Sequence, residues 1–96
     1  ELEGARYKMD RFFLYDDQED TSTRFVSFMG EEQRYDLAIM QSTRFYGKLI
    51  VMDMQYSRFA IIGSDDLDEP GYLEHVFNRS EKEAQELREY LYELVH

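Results

Sequence analysis

Three arginines share one local setting. Ser22-Thr23-Arg24-Phe25 and Ser42-Thr43-Arg44-Phe45 repeat the tetrapeptide STRF, and Ser57-Arg58-Phe59 shortens it to SRF. A guanidinium presents a rigid fork of donors to phosphate or carboxylate, and an adjacent ring can stack on a base. Arg24, Arg44 and Arg58 are therefore candidate contacts to a small anionic ligand or nucleotide. The flanks argue against a duplicated unit: VSFMGEEQ follows the first copy and YGKLIVMD the second. The shared chemistry is that of strand ends, with a hydroxyl at the turn, an arginine toward acidic surroundings and a phenylalanine toward the core. Arginine beside an aromatic is also the ordinary make-up of a sheet rim.

Asp53 is the one carboxylate set inside an apolar run, LIVMDM. Such a group either pairs with a cation or titrates high. We expect a structural ion pair with Arg44 or Arg58, and Asp53 joins the three arginines as a candidate ligand-binding residue. No catalytic residue is assigned. The six serines lie outside any G-x-S-x-G elbow, the chain has no cysteine, and the histidines are His75 and the terminal His96. His75 reads as a sheet-edge histidine. Acids cluster at 16–20 and 65–69, but aligning an EF-hand on Asp66 puts Pro70 at the fifth position and Phe77 where the bidentate glutamate belongs. These are expected to be solvated loops. No metal or cofactor is predicted.

The elements that carry these residues are short. Ninety-six residues make one domain, and no apolar run approaches the ~20 residues that span a membrane. Residues 1–10 are expected to be a loose arm or an artificial remnant, with Met9 a candidate natural start, and 11–96 the domain. The net charge of −10 is uneven: −4 over residues 1–21, +1 over 22–63 and −7 over 64–96. Nucleic acid is a poor partner for such a chain, because affinity there comes from cations neutralising phosphates.

Strands are predicted at 12–15 (FFLY), 23–29, 35–43, 48–54 and 58–63, joined by links too short for parallel crossovers. SDDLDEPGY reads as an acidic loop, and YLEHVF (72–77) as a short sixth strand. At the C-terminus, Ser80-Glu81-Lys82-Glu83 is a capping box, and Ala84, Leu87, Leu91 and Leu94 follow on one helical face, predicting a helix from Glu81 to about Leu94. The expected fold is α+β: an antiparallel meander of five or six strands, curled or half-barrel, with one C-terminal helix packed on it.

The strands do not alternate apolar with polar. Leu49 and Val51 oppose Ile50, Met52 and Met54, while Phe12 and Leu14 oppose Phe13 and Tyr15. Both faces of the sheet are apolar, and one helix covers one of them. Either the sheet closes on itself or a second copy covers the other face. The homodimer is favoured, with Phe12, Leu14, Ile50, Met52 and Met54 as candidate interface residues.

RFFLYDD, TRFVSFMGE, RYDLAIMQSTRFYGK, SRFAIIGSDDLDEPGYLEHVFN and SEKEAQELREYLYEL together resemble a family of short acidic cytosolic proteins of Firmicutes bacteria, the SAV-type domain of unknown function. The resemblance spans about residues 11–95 and implies a bacterial, cytoplasmic location. It supplies no catalytic residue, substrate or cofactor. The reading is a non-catalytic module that self-associates and docks a protein partner, with the anion binder as alternative and a small enzyme using Asp53 or His75 behind it.

Overall fold

The computed structural model describes residues 10–95. The expectations for residues 1–9 and for His96 lie outside the described residues.

Four strands follow one another in space as in sequence: β1 (Ser22–Met29), β2 (Arg34–Gln41), β3 (Leu49–Asp53) and β4 (Arg58–Ile62), each antiparallel to the next. A 3-10 turn over Thr43–Phe45 links β2 to β3, and Ser57 takes φ 55° in the β3–β4 turn. Among the described residues three helices follow: α1 (Ser64–Asp68), α2 (Tyr72–Phe77) and α3 (Glu81–Val95).

The α+β class and the antiparallel meander stand, but the sheet has four strands rather than five or six and does not close. FFLY at 12–15 is not a strand. Its residues favour extended backbone, but no ladder pairs them, and propensity without a partner does not make a strand. YLEHVF is helical. Tyr72 and Val76, like Leu73 and Phe77, stand four apart, which stacks them on one face of a helix. Gly71 at φ 79° precedes this helix, and Asn78, also left-handed, ends it with its amide on the Glu74 and His75 carbonyls. The acidic loop contains α1. Asp65 and Asp66 suit the positive end of its first turn, and the Asp66 carboxylate accepts from the Gly63 amide at 2.8 Å.

Helix α3 matches its expected span within a residue. The Ser80 hydroxyl accepts from the Glu83 amide at 3.2 Å, and the Glu83 carboxylate accepts from the Ser80 amide at 3.0 Å.

The strand registers fix two faces. Tyr35, Leu37, Ile39, Leu49, Val51, Ala60 and Ile62 share one face and are buried against Leu67 of α1, Leu73 and Phe77 of α2, and Ala84, Leu87 and Leu91 of α3. All three helices lie on this inner face. Phe25, Ala38, Met40, Ile50, Met52, Phe59 and Ile61 share the outer face. Among the described residues no helix is long and apolar enough to cross a membrane.

Candidate functional site

Asp53 lies on the inner face and is 0% exposed. Its partner is neither Arg44 nor Arg58 but Arg79, in the short link between α2 and α3. Arg79 Nε donates to Asp53 Oδ2 at 2.8 Å and Nη2 to Oδ1 at 3.0 Å. The same guanidinium donates to Gln33 Oε1 at 3.3 Å and Gln55 Oε1 at 3.2 Å, and it stacks 4.0 Å from the Tyr56 ring and 5.1 Å from Tyr35. Burial alone would lower the Arg79 pKa, but the hydrogen bonds and charge of Asp53 outweigh it, so the pKa is raised. The guanidinium stays charged and bidentate. Asp53 is thus spent on a closed ion pair, with no surface left for a substrate.

A second polar cluster stands beside it. The Tyr35 hydroxyl donates to Glu86 Oε1 at 2.5 Å, and the Glu31 amide donates to Glu86 Oε2 at 2.7 Å. Burial first, then the Glu86 carboxylate, pushes the Tyr35 pKa up. The Tyr35 bond, followed by the Glu31 amide, holds the Glu86 carboxyl below its ordinary range. Gly30 sits against this cluster. A Cβ there would lie 2.7 Å from the Tyr35 ring and 2.7 Å from Glu86 Cδ, closer than atoms pack. These contacts lock α3 onto the β1–β2 turn. They are structural in kind, since every group is satisfied within the chain.

The three candidate arginines are not brought together. Arg24 is on edge strand β1 opposite Ile39, and Arg58 begins the other edge strand, β4, opposite Asp53. They stand on opposite edge strands with two strands between them, Arg24 in line with Ala60, two residues along β4 from Arg58. Arg44 lies in the 3-10 turn, where Nη2 donates to Asp17 Oδ2 at 2.6 Å and the guanidinium sits 5.1 Å from the Tyr15 ring. The side chains of Arg24 and Arg58 make no ion pair or hydrogen bond among the described residues. His75, expected at a sheet edge, is on the exposed side of α2.

The acidic clusters have partners. Glu19 accepts from the Ser42 hydroxyl at 2.6 Å, Lys48 pairs with Asp66 at 3.2 Å, and the Tyr92 hydroxyl donates to Asp68. Among the described residues no group of three or more His, Cys, Asp or Glu is placed to hold a metal ion.

The outer sheet face is different in kind. Phe25 is 73% exposed and Phe59 65%, and between them Met40, Ile50, Met52 and Ile61 are half-buried by neighbours in the sheet alone. No element of the described chain covers them. Its charged residues are Arg34 and Asp36, which pair with each other at 3.1 Å, Asp36 also accepting from the Ser27 hydroxyl at 2.7 Å. The face is therefore apolar and locally neutral on a molecule of net charge −10. Ile50, Met52 and Met54 lie on it. Phe12 and Leu14 do not. They project from the segment before β1, 93% and 94% exposed.

One cavity of about 530 Å³ opens at the other end of the molecule, between the 3-10 turn, Ser22, Lys48 and the end of α3 at Leu94. A smaller depression beside it is lined by Arg24, Ser22 and Gln41.

The family model described as SAV0927-like matches residues 14–93, from the projecting segment to the last turn of α3. No curated protein matches the chain.

Proposed function

The chain belongs to the SAV0927-like family, and on that premise we propose that it is a non-catalytic module that self-associates through the outer face of its sheet. One observation carries this reading: the face holding Phe25, Met40, Ile50, Met52, Phe59 and Ile61 is apolar and uncovered, while three helices crowd the opposite face. Continuous exposed apolar surface on a monomer marks an interaction site. The occupant is a second copy. Two chains of charge −10 repel through most of their surfaces, but this face is neutral, and a two-fold pairing sets it against itself. The acidic composition and the family resemblance support a bacterial cytoplasmic setting.

Light scattering on the full chain tests the proposal. We expect a dimer at micromolar concentration and a folded monomer for the Phe25→Lys, Phe59→Lys double variant, whose new charges are exposed. A native chain that stays monomeric at high micromolar concentration would sink the reading.

A second reading rests on Arg24, whose guanidinium has no acidic partner among the described residues and borders the cavity end of the molecule. It is a small anionic ligand site that uses Arg24 with Lys48. A thermal-shift screen against nucleotides and phosphosugars tests it: a ligand at a hundred times its Kd raises stability by ~2.7 kcal/mol. A gain that persists in Arg24→Gln would exclude this site.

A further inference from the structure

Residues 10–21 precede β1 without helix or strand. Their second half is fastened to its own chain, through Asp17 on Arg44 and Glu19 on Ser42. Their first half is not. Exposure alternates along Phe12, Phe13, Leu14 and Tyr15, at 93, 62, 94 and 70%. Tyr15 turns inward to the Arg44 guanidinium, and Phe12 and Leu14 point away from the body of the molecule. Two large apolar side chains are thus presented to solvent by a segment held at its base.

The outer face carries a matching feature. A depression of about 340 Å³ lies between Met52, Met54 and Phe59, with Arg58 at its border. Methionines make adaptable walls for apolar side chains. Among the described residues the Arg58 guanidinium has no acidic partner, and Asp16, two residues beyond Leu14, has no basic one.

We propose that the segment 12–16 of one copy seats Phe12 and Leu14 in this depression of a second copy, with Asp16 of the first pairing with Arg58 of the second. The proposal rests on the self-association reading and names its contacts. Three observations favour a second copy over other occupants. The first is charge: an acidic segment meets the one cation at the border of an apolar slot. The second is direction, since the fastening of Tyr15 and Asp17 to their own chain turns Phe12 and Leu14 outward. The third is area. A stable interface buries ~800 Å² per partner, while an aromatic side chain contributes ~150–250 Å². Two exposed aromatics supply ~300–500 Å² on that scale, and the half-buried neighbours add only part of their surface. Reciprocal exchange adds the apolar side chains of both segments.

The chain has no cysteine, which makes disulfide trapping clean. Leu14→Cys chains mixed with Phe59→Cys chains and mildly oxidised should form a covalent heterodimer well above a control pair of Leu14→Cys with Glu89→Cys. Yield equal to the control would overturn the proposal. So would a Leu14→Cys, Phe59→Cys chain that closes its disulfide within one monomer. In sedimentation, Phe12→Asp with Leu14→Asp should weaken the dimer at least ~10-fold, because both residues sit at the centre of the contact. Arg58→Glu should weaken it about fivefold, with Asp16→Arg restoring the loss in the doubly changed chain. A dimer of native strength in the Phe12, Leu14 variant defeats the segment exchange alone and leaves the sheet-face reading standing. A monomeric native chain defeats both.

Discussion

At the scale of single residues, the buried Asp53–Arg79 pair dominates. Removing one partner of a buried pair strands a desolvated charge and costs about 3–5 kcal/mol, while replacing both with apolar groups is often neutral. Arg79→Met and Asp53→Leu should each lower unfolding free energy in urea by about that much, and the double variant should lose less than either. Strict additivity would show that the two side chains do not act as a pair. Half of this was legible in the sequence. A carboxylate inside LIVMDM has to find a cation, but the cation lies 26 residues away in a polar link. Nothing local to Asp53 points to Arg79, whereas Arg44 and Arg58 lie at the ends of neighbouring strands. Glu86 gives a pH signature. Its folded pKa lies below its unfolded value, so the native state binds fewer protons as acid is added. The stabilisation is present above the ordinary glutamate pKa, about 4.3, and is lost as pH falls through the folded value. Glu86→Gln should therefore flatten the decline of Tm between about pH 5 and pH 3. An unchanged slope would remove Glu86 from the acid transition.

At the scale of elements, legibility followed the locality of the signal. Helix α3 was readable because its cap and its apolar stripe lie within its own residues. Ser80→Ala should cost about 1 kcal/mol by the loss of the Glu83 amide's partner, measured by thermal or urea unfolding, and a loss below ~0.3 kcal/mol would show that the cap is redundant. The strands β1 to β4 were readable from apolar runs and turn residues. Residues 12–15 and 72–77 were misread for opposite reasons. FFLY has strand propensity and no neighbouring ladder. YLEHVF has aromatic and branched residues, but its apolar pairs four apart bury Leu73 and Phe77 once a sheet lies beneath them. The four-residue spacing was present in the sequence and outweighed the composition.

At the scale of the whole molecule, the governing fact is asymmetry between the faces of the sheet. Apolar residues on both faces implied a need for two covers, and the helices supply one. Short α1 and α2 join α3 on the same side because each link is too short to carry a helix around the sheet edge: Gly63 alone separates β4 from α1. If a second copy supplies the missing cover, folding and association are linked. The Tm of the native chain should then rise with protein concentration, whereas that of the Phe25→Lys, Phe59→Lys variant should not. A concentration-independent native Tm would count against the dimer.

The amino-acid sequence alone determined the class of fold, the antiparallel order of the central strands, the capped terminal helix, the uneven charge and the surplus of apolar surface. Each follows from residues close together in the chain or from composition. The tertiary structure decided the rest: that Asp53 belongs to Arg79, that Arg24, Arg44 and Arg58 stand apart, and that the surplus apolar surface gathers on one open face. Those outcomes depend on register and on which side the helices take, and both are set by contacts between segments distant in sequence.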